Sequence, residues 1–294
     1  MKKSIFLGLF LATVSLSAFA AEESETPKYW KTKGIVGVNA SQTSFVNWSA
    51  GGDNTVSLNG FLDFGAYYKK GHLTWDTDFS TQYGTTYTKS NGWVKSSDKI
   101  EISTKVGHQI APKWYVSGLV DFKTQYDKGY KDPKLKENYI SKFMAPAYSN
   151  VALGFDYKPC SNFSAFMSPI TGRMIIVTDS YLSDKGAFGV KEGKKFKFEA
   201  GAYVKLQYTK EIMTNVTLIS KANFFTAYNK DFGNIVVNWE NTINMKVNKF
   251  INANIYTNLQ YDDLVKRYNS DGEKIGGARV QFKEMIGVGL AYKF

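Results

Sequence analysis

From about residue 32 to residue 294 the chain alternates apolar and polar residues with a period of two, the period of an extended strand. The last stretch, RVQFKEMIGVGLAYKF (279–294), shows it most clearly. Val280, Phe282, Ile286, Val288, Leu290, Tyr292 and Phe294 share one face, while Gln281, Lys283, Gly287, Gly289 and Lys293 share the other. The same pattern recurs at Val56–Tyr68, Phe196–Tyr208 and Ile251–Tyr261. Read along the whole chain it predicts about twelve strands, with ends uncertain by a few residues. They fall at 32–47, 55–68, 71–85, 98–110, 114–126, 150–158, 162–170, 195–209, 214–228, 234–247, 250–263 and 279–294. The weakest is 162–170, because Pro169 cannot donate to a ladder. The segment MIIV (174–177) either extends that strand past a bulge or belongs to the following loop, so ten or fourteen strands stay open.

Many alternating strands fit a soluble sandwich as well as a membrane barrel, and composition separates the two. Aromatic residues make up 16% of the chain, yet the mean hydropathy is only −0.30. Both follow when one face of each strand meets lipid and the other a polar lumen. Lys2 and Lys3, the apolar run 4–14 and AFA at 18–20 read as a secretory signal cleaved near Ala20. No later apolar run is long enough for a transmembrane helix. The connections strengthen the barrel reading. Those at 69–71, 111–113, 158–161, 211–214 and 248–250 are tight. They alternate with segments at 48–54, 86–97, 127–149, 171–194, 229–233 and 264–278, which are mostly longer and polar. Short periplasmic turns and long extracellular loops alternate in this way in bacterial barrels. The expectation is an all-β chain: signal 1–20, a short periplasmic segment 21–31, and one antiparallel transmembrane barrel over 32–294. Its address is the outer membrane of a Gram-negative bacterium, where lipid and lipopolysaccharide are its surroundings.

Within that register FVNWSAGGDN (45–54) is the first extracellular hairpin. Trp48 falls where a strand leaves the membrane, a depth at which an apolar ring with an N–H donor is favoured. Gly51 and Gly52 permit positive φ, and Asp53 suits a turn. The stretch NWSAGGDNTVSLNG (47–60) resembles the start of a family of outer-membrane barrels from Bacteroidetes-type bacteria, catalogued only as a domain of unknown function. SPITGRMIIVTD (168–179), with Pro169, Gly172, Arg173 and Asp179, and GAFGV (186–190) resemble a second block of it. The terminal GVGLAYKF fits as well. The resemblance implies a β-barrel and an outer-membrane address, and supplies no activity. The terminal aromatic Phe294 resembles the C-terminal signature of outer-membrane barrels, which implies recognition by the barrel-assembly machinery.

Catalytic constellations are thin. His72 and His108 are far apart in sequence, and both fall at the periplasmic ends of strands, away from the outer rim where a barrel hydrolase or protease needs its histidine. With one cysteine, Cys160, there is no metal-ligand spacing. No catalytic residue, metal or cofactor is expected, and no nucleic-acid partner.

The inward face says more. Parity turns Asp63, Asp76, Asp78, Glu101, Asp121, Asp156, Glu199 and Glu240 into the lumen, with Lys105, Lys123, Lys197, Lys205, Lys221, Lys246 and Lys283. A strongly selective pore shows one sign of charge; this mixture predicts ion pairs across a narrow interior. Loops 127–149 and 171–194 are basic, at Lys128, Lys131, Lys134, Lys136 and Lys142 and at Arg173, Lys185, Lys191 and Lys194. Either loop is long enough to fold inward. Arg173 has Asp179 as its nearby candidate partner. The formal net charge of +11 suits anionic solutes or lipopolysaccharide phosphates. Two functions fit: a narrow channel or facilitated-diffusion porin for small solutes, or a non-conducting barrel that binds lipopolysaccharide or an envelope partner. Inward aromatics (Phe61, Tyr67, Tyr115, Tyr203 and Phe225) leave room for an apolar ligand.

Overall fold

The computed structural model describes residues 29–44, 54–130, 132, 135–228, 232–262, 267–268 and 274–294. The signal segment, the segment 21–28 and the hairpin residues Trp48, Gly51, Gly52 and Asp53 lie outside the described residues. The strands are β1 (Trp30–Thr43), β2 (Thr55–Lys70), β3 (Leu73–Thr88), β4 (Gly92–Ala111), β5 (Trp114–Thr124), β6 (Gly129–Tyr130), β7 (Tyr139–Ser141) and β8 (Ala147–Cys160). They continue as β9 (Phe163–Ile176), β10 (Phe196–Met213), β11 (Val216–Ala227), β12 (Val236–Lys246), β13 (Ile251–Tyr261), β14 (Arg267–Tyr268), β15 (Lys274–Gly276) and β16 (Gln281–Lys293). Helix α1 (Ser180–Asp184) follows β9.

Twelve of these strands close into one antiparallel barrel in the order β1-β16-β13-β12-β11-β10-β9-β8-β5-β4-β3-β2. The small pairs β6–β7 and β14–β15 sit in connections. Closure removes the free edges that would otherwise be left unpaired in lipid. Val38 pairs with Leu290, and Gly34 and Phe294 exchange both backbone hydrogen bonds, at 2.7 and 3.0 Å. The shortest barrel strands, β5, β12 and β13, have 11 residues, long enough to span a hydrocarbon core of ~30 Å when tilted.

The outer surface explains the period-two pattern. Val38, Leu58, Ile102, Val120, Leu153, Ile170, Ile286 and Leu290 are all exposed. Aromatic clusters flank this apolar band. At the turn end the Trp30 ring lies 5.1 Å from Tyr68 and 5.7 Å from Trp75, and Trp114 lies 4.7 Å from Tyr157. At the loop end Tyr87 lies 5.5 Å from Trp93 and Tyr83 lies 6.2 Å from Tyr126. Amphipathic rings collect where lipid gives way to water.

Two local expectations change. The predicted loop 86–97 is nearly all strand, because β3 and β4 continue to a short turn at 89–91. Segment 174–176 extends β9 rather than leaving the sheet. Pro169 is accommodated by a bulge: Leu153 pairs with Ile170 and Phe155 with Met167, so Gly154 alone faces the extra residues. Ser168 Oγ closes the bulge, donating to the Leu153 carbonyl at 2.8 Å and accepting from the Ile170 N–H at 3.2 Å. A side chain at Gly154 would collide with the Met167 carbonyl, which fixes glycine opposite the bulge.

Candidate functional site: the barrel lumen

The inward faces of β4, β5, β8, β9, β10 and β11 meet across the barrel. Leu119, Ala152, Phe166, Tyr203 and Phe225, from five different strands, form a buried apolar cluster inside the lumen. The inward aromatics are therefore packed against one another and against lysines. Lys105 lies 5.9 Å from the Phe166 ring centroid, and the Tyr203 hydroxyl donates to Asp121 at 2.9 Å. Tyr67 donates to Asp78 at 2.6 Å, and Phe61 covers Gly37.

Ion pairs surround that cluster at successive depths. Nearest the turn end, Lys158 bridges Asp76 at 2.7 Å and Asp156 at 3.4 Å, and Lys105 meets Asp156 at 2.7 Å. In the middle Lys205 reaches Asp121 at 2.8 Å and Ser103 at 2.7 Å. Toward the loops Glu240 accepts from Lys99 at 3.2 Å and Lys123 at 3.4 Å, and Lys99 also stands 3.5 Å from Glu101. Strands β4 and β12 are six positions apart in a ring of twelve, so the Lys99–Glu240 bridge spans the full width of the barrel. On the β9–β10 wall Glu199 pairs with Lys197 at 2.7 Å and faces Arg173 at 3.8 Å.

Lys99 and Lys158 belong to this network and sequence parity did not single them out; Lys158 stands on Asp156's own face, two residues on. The expected Arg173–Asp179 pair does not form. Residue 173 is still in β9, so its guanidinium turns inward to Glu199, between the rings of Tyr148 and Phe225. Asp63 stands on the inward face of β2 opposite Ser80, and Lys221 beside its cross-strand partner Glu240. Lys246 lies at the exposed turn-end terminus of β12. Gly172 faces outward under the Phe198 ring.

The opposite wall, β1, β2, β12, β13 and β16, is built differently. Apart from Asp63, Glu240 and Lys283, neutral amides and glycines line much of it: Asn39, Asn59, Asn244, Asn252 and Asn258 are buried, and Asn39 bonds Asn254 beside Gly287. Two interior spaces adjoin the Glu240 pairs. A gap of about 10 Å³ lies among Asp78, Glu101, Ser103, Lys205 and Glu240, no more than about one water. Toward the loops a vestibule of about 340 Å³ is lined by Lys99, Lys123, Lys283, Tyr256, Asn258, Gln260 and Gln281. Glu240 lines the lower gap and holds two of the three lysines of the upper one, so it is the floor between them.

The two long loops pack on each other. Ala145, Val177, Leu182 and Val190 form a second buried cluster, flanked by Tyr139, Tyr181 and Phe188. Asp179 caps α1 by accepting from the Leu182 N–H at 3.0 Å, and it also holds Tyr139 at 3.0 Å and Lys142 at 2.6 Å. Burial alone would raise the Asp179 carboxyl, but the bonds from Lys142, Leu182 and Tyr139 together hold it below the usual carboxylate range. Several loop lysines are thus engaged within the loops: Lys142 on Asp179, Lys128 over the Tyr139 ring and Lys185 over Tyr181. The rings of His72 and His108, distant in sequence, lie 6.0 Å apart at the turn end. Among the described residues no group of three metal-ligating side chains comes together.

Residues 40–130 match the model of a family described as a protein of unknown function (DUF3078). The match contains the Trp48–Asp53 block and leaves the 168–179 and 186–190 segments outside. No curated protein matches the chain. Among solved structures, an outer membrane channel from Pseudomonas putida F1 is 11% identical, covering 92% of this chain and 100% of that one, with a TM-score of 0.40. The translocator domain of autotransporter NalP from Neisseria meningitidis is 9% identical over 90% and 88% of the two chains, with a TM-score of 0.38. Outer membrane phospholipase A from Escherichia coli is 9% identical over 89% and 95%, at 0.34. Values this low decide nothing about solute or chemistry.

Proposed function

We propose that this chain is an outer-membrane barrel, exported by residues 1–20, that acts as a narrow conduit for a small polar solute and is closed at rest. The observation that carries this reading is the Lys99–Glu240–Lys123 crossing, set between a polar vestibule and a gap about one water wide. A wide, permanently open porin is not compatible with that floor. An ionic floor is nevertheless movable. Its Lys123 end is 34% exposed, against 15% for Lys99 and 10% for Glu240, so a charged solute that enters there can take the place of Glu240 on Lys123. The amide-and-glycine wall of β1, β13 and β16 offers the path along which the side chains are smallest. Phe294, at the β1–β16 seam, is the element offered to the assembly machinery.

The second reading is a non-conducting barrel that binds lipopolysaccharide or an envelope partner. The self-packed loop pair, which gives the outer face a fixed shape, is what favours it. Planar-bilayer recording of residues 21–294 separates the two. The conduit reading expects small, infrequent steps from the wild type and longer openings from Glu240→Gln, which frees Lys99 and Lys123 from their shared carboxylate. Silence from both proteins, each folded as a heat-resistant barrel, would overturn it in favour of the binding barrel.

A further inference from the structure

Among the described residues, charge in the vestibule is not balanced. Lys99 and Lys123 share Glu240, and Lys99 has Glu101 in addition. The one other carboxylate on the vestibule wall among the described residues, Asp98, is occupied: Lys95 holds it at 2.7 Å, and it accepts from the backbone N–H groups of Tyr126 at 2.7 Å and Asp127 at 3.0 Å. Lys283 is left with the Ser96 carbonyl at 3.1 Å, and among the described residues no carboxylate lies within ion-pair distance of it. An ammonium that opens into the vestibule and meets only a neutral acceptor among the described residues is free to take an anion beside it.

The remaining lining specifies more than charge. Gln260, Gln281 and Asn258 present amides, which both donate and accept. Such groups match hydroxyls, and would leave an aliphatic anion's stem poorly served. The volume of about 340 Å³ falls at the low end of ordinary small-molecule sites, ~300–1,000 Å³. One ammonium without a carboxylate partner among the described residues matches one negative charge.

We propose that the vestibule is a binding site for a hydroxylated monoanion of sugar-acid size, with its carboxylate on Lys283 and within reach of Lys123, and its hydroxyls on Gln260, Gln281 and Asn258. This deepens the conduit reading by naming the class of solute, and it supplies the trigger: a carboxylate entering beside Lys123 competes with Glu240 for that lysine and loosens the floor.

Glucuronate is the probe, with glucose as its neutral counterpart. Titration calorimetry on the full barrel, refolded in detergent at low ionic strength, should show saturable glucuronate binding at least tenfold tighter than glucose. Lys283→Gln should lose about tenfold in glucuronate affinity, and Lys283→Arg should keep most of it. The Gln variant removes no ion pair among the described residues, so the barrel should still fold; unchanged heat-resistant migration on gels checks this. Equal binding of glucose, or a Lys283→Gln variant that binds as well as wild type, would overturn the site. Glucuronate binding by a barrel that never conducts would sink the conduit and leave the site standing. Conductance without glucuronate binding would do the reverse.

Discussion

Replacing Lys205 by Met removes the cation from one of the most enclosed ion pairs in the lumen. The two side chains are only 6% and 12% exposed, and the ammonium meets the Asp121 carboxylate at 2.8 Å. Removing one partner of a buried pair typically costs ~3–5 kcal/mol, because the other charge stays buried. Here Asp121 keeps the Tyr203 hydroxyl at 2.9 Å, so the cost should fall near the lower bound, about 3 kcal/mol. That is roughly a hundredfold in the unfolding equilibrium. The double variant Asp121→Leu with Lys205→Met should recover most of the loss. It leaves no charge behind, and its side chains extend the apolar cluster of Leu119, Phe166 and Phe225. Urea unfolding of the protein refolded into lipid vesicles, followed by tryptophan fluorescence, measures both. A single variant within about 1 kcal/mol of wild type, or a double variant worse than the single, would refute the claim that this crossing is a desolvated ion pair.

Two further outcomes follow from the outer surface and the loops. Ile286, 69% exposed and central in β16, faces the proposed bilayer midplane; Ile286→Arg should cost ~2–4 kcal/mol in vesicle refolding, and a neutral result would contradict the lipid-facing assignment. Asp179 has its pKa lowered in the folded state, so its stabilisation is complete above its unfolded value, about 3.9, and is lost as pH falls through the folded value. Limited proteolysis should therefore find loops 125–146 and 177–195 protected from neutral pH down to about pH 4 and cut at lower pH, whereas Asp179→Asn should be cut at neutral pH.

Alternation alone made the strands legible, because the barrel rewards it on every strand: one face meets lipid and the other a polar interior. The shift of β4 back to Gly92 was hidden because Ser96, Ser97 and Asp98 suit a loop as well as a strand rising above the membrane. The continuation of β9 to Ile176 depended on a bulge, which a fixed period cannot show. Parity assigned Lys105, Asp121, Glu199, Lys205 and Glu240 to the inside, where they form ion pairs. It had no means of matching them.

Period two depends on neighbours along one strand, so the chain by itself determined strand character, most of the inward set and the mixed charge. Pairing across the lumen depends on strand number, stagger and tilt, which are properties of the closed ring. Lys99 meets Glu240 because β4 and β12 are opposite members of twelve. Arg173 turns to Glu199 instead of Asp179 because β9 runs three residues beyond it. The vestibule, its floor and the placing of Lys283 exist only after closure, when Lys283 and Ser96, 187 positions apart in sequence, come within a hydrogen bond of each other.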